Sequence, residues 1–131
     1  MKKCEKCSCK TEALGHFDTV LAQLDKVLYI TDDSENMYIH KEILKTLAWG
    51  KPSDSQIKAL ENYCNEVKKL ELSAKGFVTF IQPKAIEMNI LRVQVRNLER
   101  AAIKARYPKY TLDFLNALSK DVFESACQLN K

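Results

Sequence analysis

Apolar residues recur at spacings of three and four along nearly the whole chain, and only three glycines and three prolines interrupt them. Such spacing lines one face of a helix, whereas a many-stranded fold would need far more turn residues. Leu14, Phe17, Leu21, Leu24 and Leu28, widened by Val20 and Val27, mark a first helix over 12–30. Ile39, Ile43, Leu44 and Leu47 mark a second over 35–49, stopped by Gly50 and Pro52. Ser53 and Gln56 have the spacing of a capping box, in which each side chain satisfies a backbone N–H at a helix start. The third helix they open carries Ile57, Leu60, Cys64, Val67 and Leu70 inward and reaches a C-terminal cap at Gly76. Phe77-Val78-Thr79-Phe80-Ile81 reads as a buried extended connector or short strand, since one strand makes no sheet. A fourth helix over 84–106 turns Leu91, Val95, Leu98 and Ala102 inward, with Ile86, Ile90 and Val93 beside them. Pro108 ends it, and Thr111 or Asp113 starts a fifth with Leu112, Leu115, Leu118, Val122, Ala126 and Leu129 at helical spacing. The expected fold is all-α, a compact bundle of about five helices forming one domain over 1–131. The basic, cysteine-rich segment 1–10 is expected to pack on it as a metal knuckle.

Five cysteines cannot all pair within one chain, and three of them fall in Cys4-x2-Cys7-x-Cys9. A secreted disulfide framework would spread them out, so reduced thiols or metal-bound thiolates fit better. A C-x2-C turn lets two thiolates hold one ion, and zinc takes four N or S ligands in closed structural sites. Cys9 offers a third sulfur. His16 and Cys64 compete as the fourth ligand, with Cys127 behind them; Cys64 and Cys127 also lie on apolar stripes, where a cysteine acts as a small hydrophobe. The alternative is a set of unliganded thiols. The expected cofactor is one structural zinc.

The net charge of +4 is concentrated in two stretches. Residues 1–10 set Lys2, Lys3, Lys6 and Lys10 against Glu5, and residues 84–109 set seven Lys and Arg against Glu87 and Glu99. Arg92, Arg96, Arg100 and Lys104 recur every fourth residue, on the side of the fourth helix away from Leu91, Val95 and Leu98. Arg106, Tyr107, Lys109 and Tyr110 follow around Pro108. Arginine forks onto phosphate and tyrosine can stack on a base, so this stretch is the candidate contact for DNA or RNA. A solvated helix face with local pairing to Glu99 is the competing reading.

The segment 43–57 has the form of a helix–turn–helix, but Lys51-Pro52 lengthens its turn and Asp54 would oppose phosphate at the head of a recognition helix. Gly50-Lys51-Pro52-Ser53-Asp54-Ser55-Gln56, set between two apolar helices, resembles the Gly-basic-x-Ser-x-x-Gln hairpin of many phage- and plasmid-type proteins. The whole chain is similar to small uncharacterised helical proteins of archaeal viruses. The resemblance implies company with nucleic-acid-handling domains and a place inside a host cell; it implies no particular activity.

Asp32, Asp33 and Glu35, with His40 a turn beyond, could hold Mg²⁺ as a nuclease does, although helix capping is their commoner use. The chain has two histidines, no nucleophile elbow, no phosphate-binding glycine loop and no H-E-x-x-H, so catalysis is not expected. No apolar run approaches the roughly 20 residues of a membrane span, and Cys4-Glu5-Lys6-Cys7 stands where a secretion signal would be apolar. These features lead to an intracellular reading without a membrane partner. The function expected from sequence is non-catalytic nucleic-acid binding by a zinc-stabilised helical protein. The alternative is a protein–protein interaction module, such as a homodimer, with Tyr29, Tyr38, Trp49 and Tyr63 as anchors outside the core.

Overall fold

The computed structural model describes the backbone of residues 2–31, 34–74 and 76–131 and the side chains of residues 8–31, 36–74 and 76–131. It contains five helices: α1 (Lys2–Ile30), α2 (Ser34–Trp49), α3 (Asp54–Lys68), α4 (Pro83–Lys104) and α5 (Lys109–Leu129). No strand occurs among the described residues. The all-helical reading therefore holds.

Helix α4 is the centre of the bundle, packed between α1 and α5, with α2 on α1 and α3 on α5. It runs antiparallel to α1: Glu12 meets Lys104 at one end, while Gln23 and Lys26 meet Glu87 at the other. Each helix contributes one stripe to a common core. Phe17, Val20, Leu24 and Val27 come from α1, and Met37, Leu44 and Leu47 from α2. Met88, Leu91, Val95 and Leu98 of α4 meet Phe114, Leu115, Leu118 and Val122 of α5. Removing each such side chain from water contributes roughly 1.5–3 kcal/mol, which gives these stripes the leading role in setting how the helices face one another.

Several boundaries and faces differ from expectation. Helix α1 begins at Lys2, not near residue 12, so the backbone of the cysteine segment is helical where a knuckle turn was expected. Nothing in residues 2–14 breaks a helix, and Lys, Glu, Ala and Leu favour one. Its buried stripe centres on Ala13, Phe17, Val20, Leu24 and Val27; Leu14, Leu21 and Leu28 flank it, partly buried.

Helix α3 opens with the expected capping box. The Ser53 N–H donates to Gln56 Oε1 at 2.8 Å, and the Gln56 N–H donates to Ser53 Oγ at 3.2 Å. It stops at Lys68, well before Gly76, because its inward stripe ends with Val67 and Leu70 is exposed. At that end the Val67 carbonyl accepts from the Leu70 N–H at 3.0 Å and from Lys120 Nζ at 3.1 Å, which ties the end of α3 to α5.

The connector that follows is not buried: Phe77 and Ile81 are exposed, and Phe80 alone packs edge-on against Phe123. It is held by side chains at the end of α5. Glu124 accepts from the Ser73 N–H at 2.8 Å, and Asn130 Oδ1 accepts from the N–H of Ile81 at 2.9 Å. Gly76 is not the C-terminal cap expected of it: at φ 79 it takes the left-handed region within that loop, away from a helix end. On α4, Ile86, Ile90 and Val93 face solvent, opposite the buried row, and do not extend the core. Helix α5 starts at Lys109 behind Pro108, without a side-chain cap from Thr111 or Asp113.

Candidate functional site

Three chain segments meet at one end of the bundle. The hydroxyl of Tyr107 donates to the Ala48 carbonyl at 3.4 Å, which brings the α4–α5 corner to the end of α2. The Tyr107 ring lies 5.5 Å from that of Phe17, and Lys10 Nζ stands 3.9 Å from the Tyr107 centroid, which adds the first turns of α1. Lys104 and Glu12, 3.7 Å apart, tie α4 to α1 just beside this point. Lys10 and the basic end of α4, far apart in sequence, thus come to the same corner of the bundle.

Lys104, tied to Glu12, and Arg106, next to Tyr107, lie at this corner. Arg96, Arg100 and Lys104 are exposed and spread over about 12 Å of helix. Arg100 donates to Asn97 Oδ1 at 3.1 Å, and Arg96 stands 3.9 Å from Glu99. Arg106 is exposed, and Lys109, which pairs with Asp113 at 3.1 Å, lines the groove between α3 and α5. Against Lys10 and these five cations stand Glu12, Glu99 and Asp113, so positive charge prevails.

Arg92 belongs to a different setting. Its guanidinium is half-buried 5.6 Å from the Phe123 centroid, with Nε donating to Asn89 Oδ1 at 2.8 Å. Burial, and then the charge of Arg96, hold it below its ordinary pKa.

Tyr107 corrects the sequence reading more sharply. It is buried between Phe17 and Lys10, so its ring belongs to the core and is not presented to a base. An aromatic exposed at this end is Trp49, the last residue of α2, 79 % accessible, with exposed Lys51 two residues on. Trp49, a candidate protein-contact anchor, lies at this end of the bundle because of the Ala48–Tyr107 contact, which no local pattern announces.

Arg106 has a backbone feature of its own. At φ 60 it occupies the left-handed region. The Arg106 N–H donates to the Ile103 carbonyl at 3.1 Å and the Tyr107 N–H to the Ala102 carbonyl at 3.0 Å. That is a Schellman C-cap, in which the left-handed position is usually glycine.

The zinc ligands proposed from sequence are only partly within view. The side chains of Cys4 and Cys7 lie outside the described residues. Cys9 is half-exposed on α1, and His16 follows two turns later, about 10 Å along the axis. Cys64 lies between α3 and α5 near Asp113 and Lys68, lining a groove of about 740 Å³. Cys127 is buried on α5 near Arg92, away from the end of α4 that Glu12 touches. Among the described residues no three His, Cys, Asp or Glu side chains come together as a metal site. Burial, with Asp113 for Cys64 and Glu124 for Cys127, pushes both thiols above their ordinary values.

Of the proposed Mg²⁺ grouping, the structure describes only the His40 side chain. Asp32, Asp33 and the Glu35 side chain lie outside the described residues. His40 is buried in a network that sequence did not foresee: Nε2 stands 3.7 Å from Asp121 Oδ2, which accepts from the Tyr63 hydroxyl at 2.6 Å. Tyr63 is therefore committed to the interior, with His40 5.1 Å and Phe114 5.5 Å from its ring. Burial raises the Asp121 pKa, but the contacts from His40 and Tyr63 outweigh it and hold the carboxyl below its ordinary value. Burial and the Asp121 charge push the Tyr63 phenol up. His40 Nδ1 is buried without a hydrogen-bond partner.

No helix among the described residues is long and apolar enough to cross a membrane. No protein-family model matches this chain, and a search of curated proteins finds no match.

Proposed function

We propose that this protein binds nucleic acid, without catalysis, through the surface formed by Lys10, Arg96, Arg100, Lys104, Arg106 and Lys109. The observation that carries this reading is the joining of the α1 start to the α4–α5 corner, which gathers cations from two separate basic stretches. Phosphates attract such a surface through counterion release, so affinity falls steeply with salt. Arg106 adds weight: it keeps a charged side chain at a position where glycine would relieve the backbone. The resemblance to phage and archaeal-virus helical proteins points the same way.

The test is anisotropy of labelled oligonucleotides at several salt concentrations, with wild type and the double variant Arg96→Glu/Arg100→Glu. Both residues are exposed, so the variant should fold. The expected result is a log–log salt slope near −0.7 to −0.9 per phosphate contacted, and loss of most binding in the variant. Equal binding by variant and wild type overturns the proposal.

The cysteine segment is read as a structural zinc element built on Cys4 and Cys7, with Cys9 and a further ligand from His16 or Cys64; Cys127, beside Arg92 at the other end of α4, is too far away to serve. A second reading, self-association, is favoured by the exposed apolar residues Phe77, Ile81, Ile86, Ile90 and Val93. Light scattering across a concentration series tests it, and a monomer throughout removes it.

A further inference from the structure

Trp49 is the chain's one tryptophan, and it is the largest side chain left in water at the basic end of the molecule. A tryptophan could contribute much to a core, yet α2 buries Leu44, Leu47 and Ala48 and leaves the next residue outside. Its surroundings follow from the fold. The Ala48 carbonyl accepts from Tyr107, Arg106 precedes Tyr107, and Lys10 lies on the Tyr107 ring. Lys51 follows two residues later and is exposed. An accessible indole thus projects from the α2 end, one residue beyond the carbonyl that holds the α4–α5 corner.

This pairing separates two kinds of nucleic acid. Duplex DNA offers phosphates to cations, but its base faces are stacked internally and give an exposed indole nothing to cover. A single strand offers both phosphates and free base faces, and stacking on an aromatic side chain is worth about 1–3 kcal/mol per base. The other aromatics of this region do not fill the role, because Tyr107 is buried and Tyr110 is partly packed against the core.

We infer that the protein binds single-stranded nucleic acid, with a base stacked on Trp49 and the flanking phosphates held by Lys10, Lys51 and Arg106. The inference rests on the nucleic-acid reading above and narrows it to a substrate class and a contact residue. DNA and RNA single strands share the chemistry of recognition.

The single tryptophan makes the contact directly observable. Full-length protein is titrated with oligo(dT), oligo(rU) and a duplex of equal length, following Trp49 emission and, separately, anisotropy of the labelled strand. The expected result is quenching by one or both single strands, the better quencher identifying DNA or RNA, and little change with duplex. Trp49→Ala should weaken single-strand binding roughly 10- to 100-fold and leave duplex binding unchanged; Trp49→Phe should recover part of the loss. Unaltered circular dichroism shows that the variants fold.

Binding of both nucleic acids without quenching, and without an effect of Trp49→Ala, overturns the stacking inference and leaves the basic surface standing. No binding to any probe at low salt overturns both. An indole already shielded from acrylamide in a concentration-dependent way before nucleic acid is added shows a second copy covering the ring, and also overturns the inference.

Discussion

Replacing Arg106 by glycine should make the protein more stable and a poorer binder. The cap bonds from Arg106 to Ile103 and from Tyr107 to Ala102 require a left-handed residue at position 106, and arginine supplies it at φ 60. An L-residue with a Cβ is strained there by roughly 1–2 kcal/mol. Glycine removes that strain but adds about 0.5–1 kcal/mol of unfolded-state entropy. The net expectation is a gain of about 0.5–1 kcal/mol, or a few degrees in Tm for a domain of this size. The side chain is exposed and makes no ion pair among the described residues, so its loss should not offset the gain. Thermal unfolding by circular dichroism reads the stability, and oligonucleotide anisotropy at several salt concentrations reads the binding. With one phosphate contact fewer, the log–log slope should shrink by about 0.7–0.9. Arg106→Asn, which tolerates the left-handed region better than arginine, should fall between on stability and match glycine on binding. A less stable glycine variant refutes the backbone argument. A more stable variant with undiminished binding refutes the claim that the arginine is retained for its charge.

Gly15 lies inside α1 with open space where a Cβ would sit, so Gly15→Ala should raise stability by about 1 kcal/mol, measured by urea unfolding. Tyr63→Phe takes a donor from the partly buried Asp121 carboxylate and should cost about 1–3 kcal/mol in the same assay. Asp121 is held below its ordinary pKa in the folded protein, so its stabilisation is in force above an unfolded value near 3.9 and is lost as the pH falls through the lower folded value. Without the Tyr63 hydroxyl the folded value rises, and acid unfolding followed by circular dichroism should begin at higher pH. Cys4→Ser/Cys7→Ser should remove a zinc that wild-type protein retains at one ion per chain by elemental analysis after metal-replete expression. Metal-free wild type under those conditions ends the zinc reading.

The features legible in the sequence are those whose causes are local. The Ser53–Gln56 capping box is complete within four residues, and both of its bonds form as expected. The rows Leu91, Val95, Leu98 and Leu115, Leu118, Val122 are buried because a 3.6-residue period and two neighbouring helices suffice to dictate it. Where one stripe had several possible centres, as on α1, periodicity gave the helix but not which of Leu21 and Val20 lies deeper. What sequence could not supply came from contacts across the chain. His40, Tyr63 and Asp121 lie on three different helices, and only packing turns them into one buried network. Tyr107 looked like an exposed aromatic among cations, yet the residue after a left-handed cap commonly folds back against its own helix, and here that position leads into the core. The same cap leaves Arg106 outside, and the hydroxyl that Tyr107 sends to Ala48 draws the α2 end, with Trp49, toward it. One backbone reversal thus separates neighbouring residues: Tyr107, expected to stack on a base, becomes structural, while Arg106 stays outside.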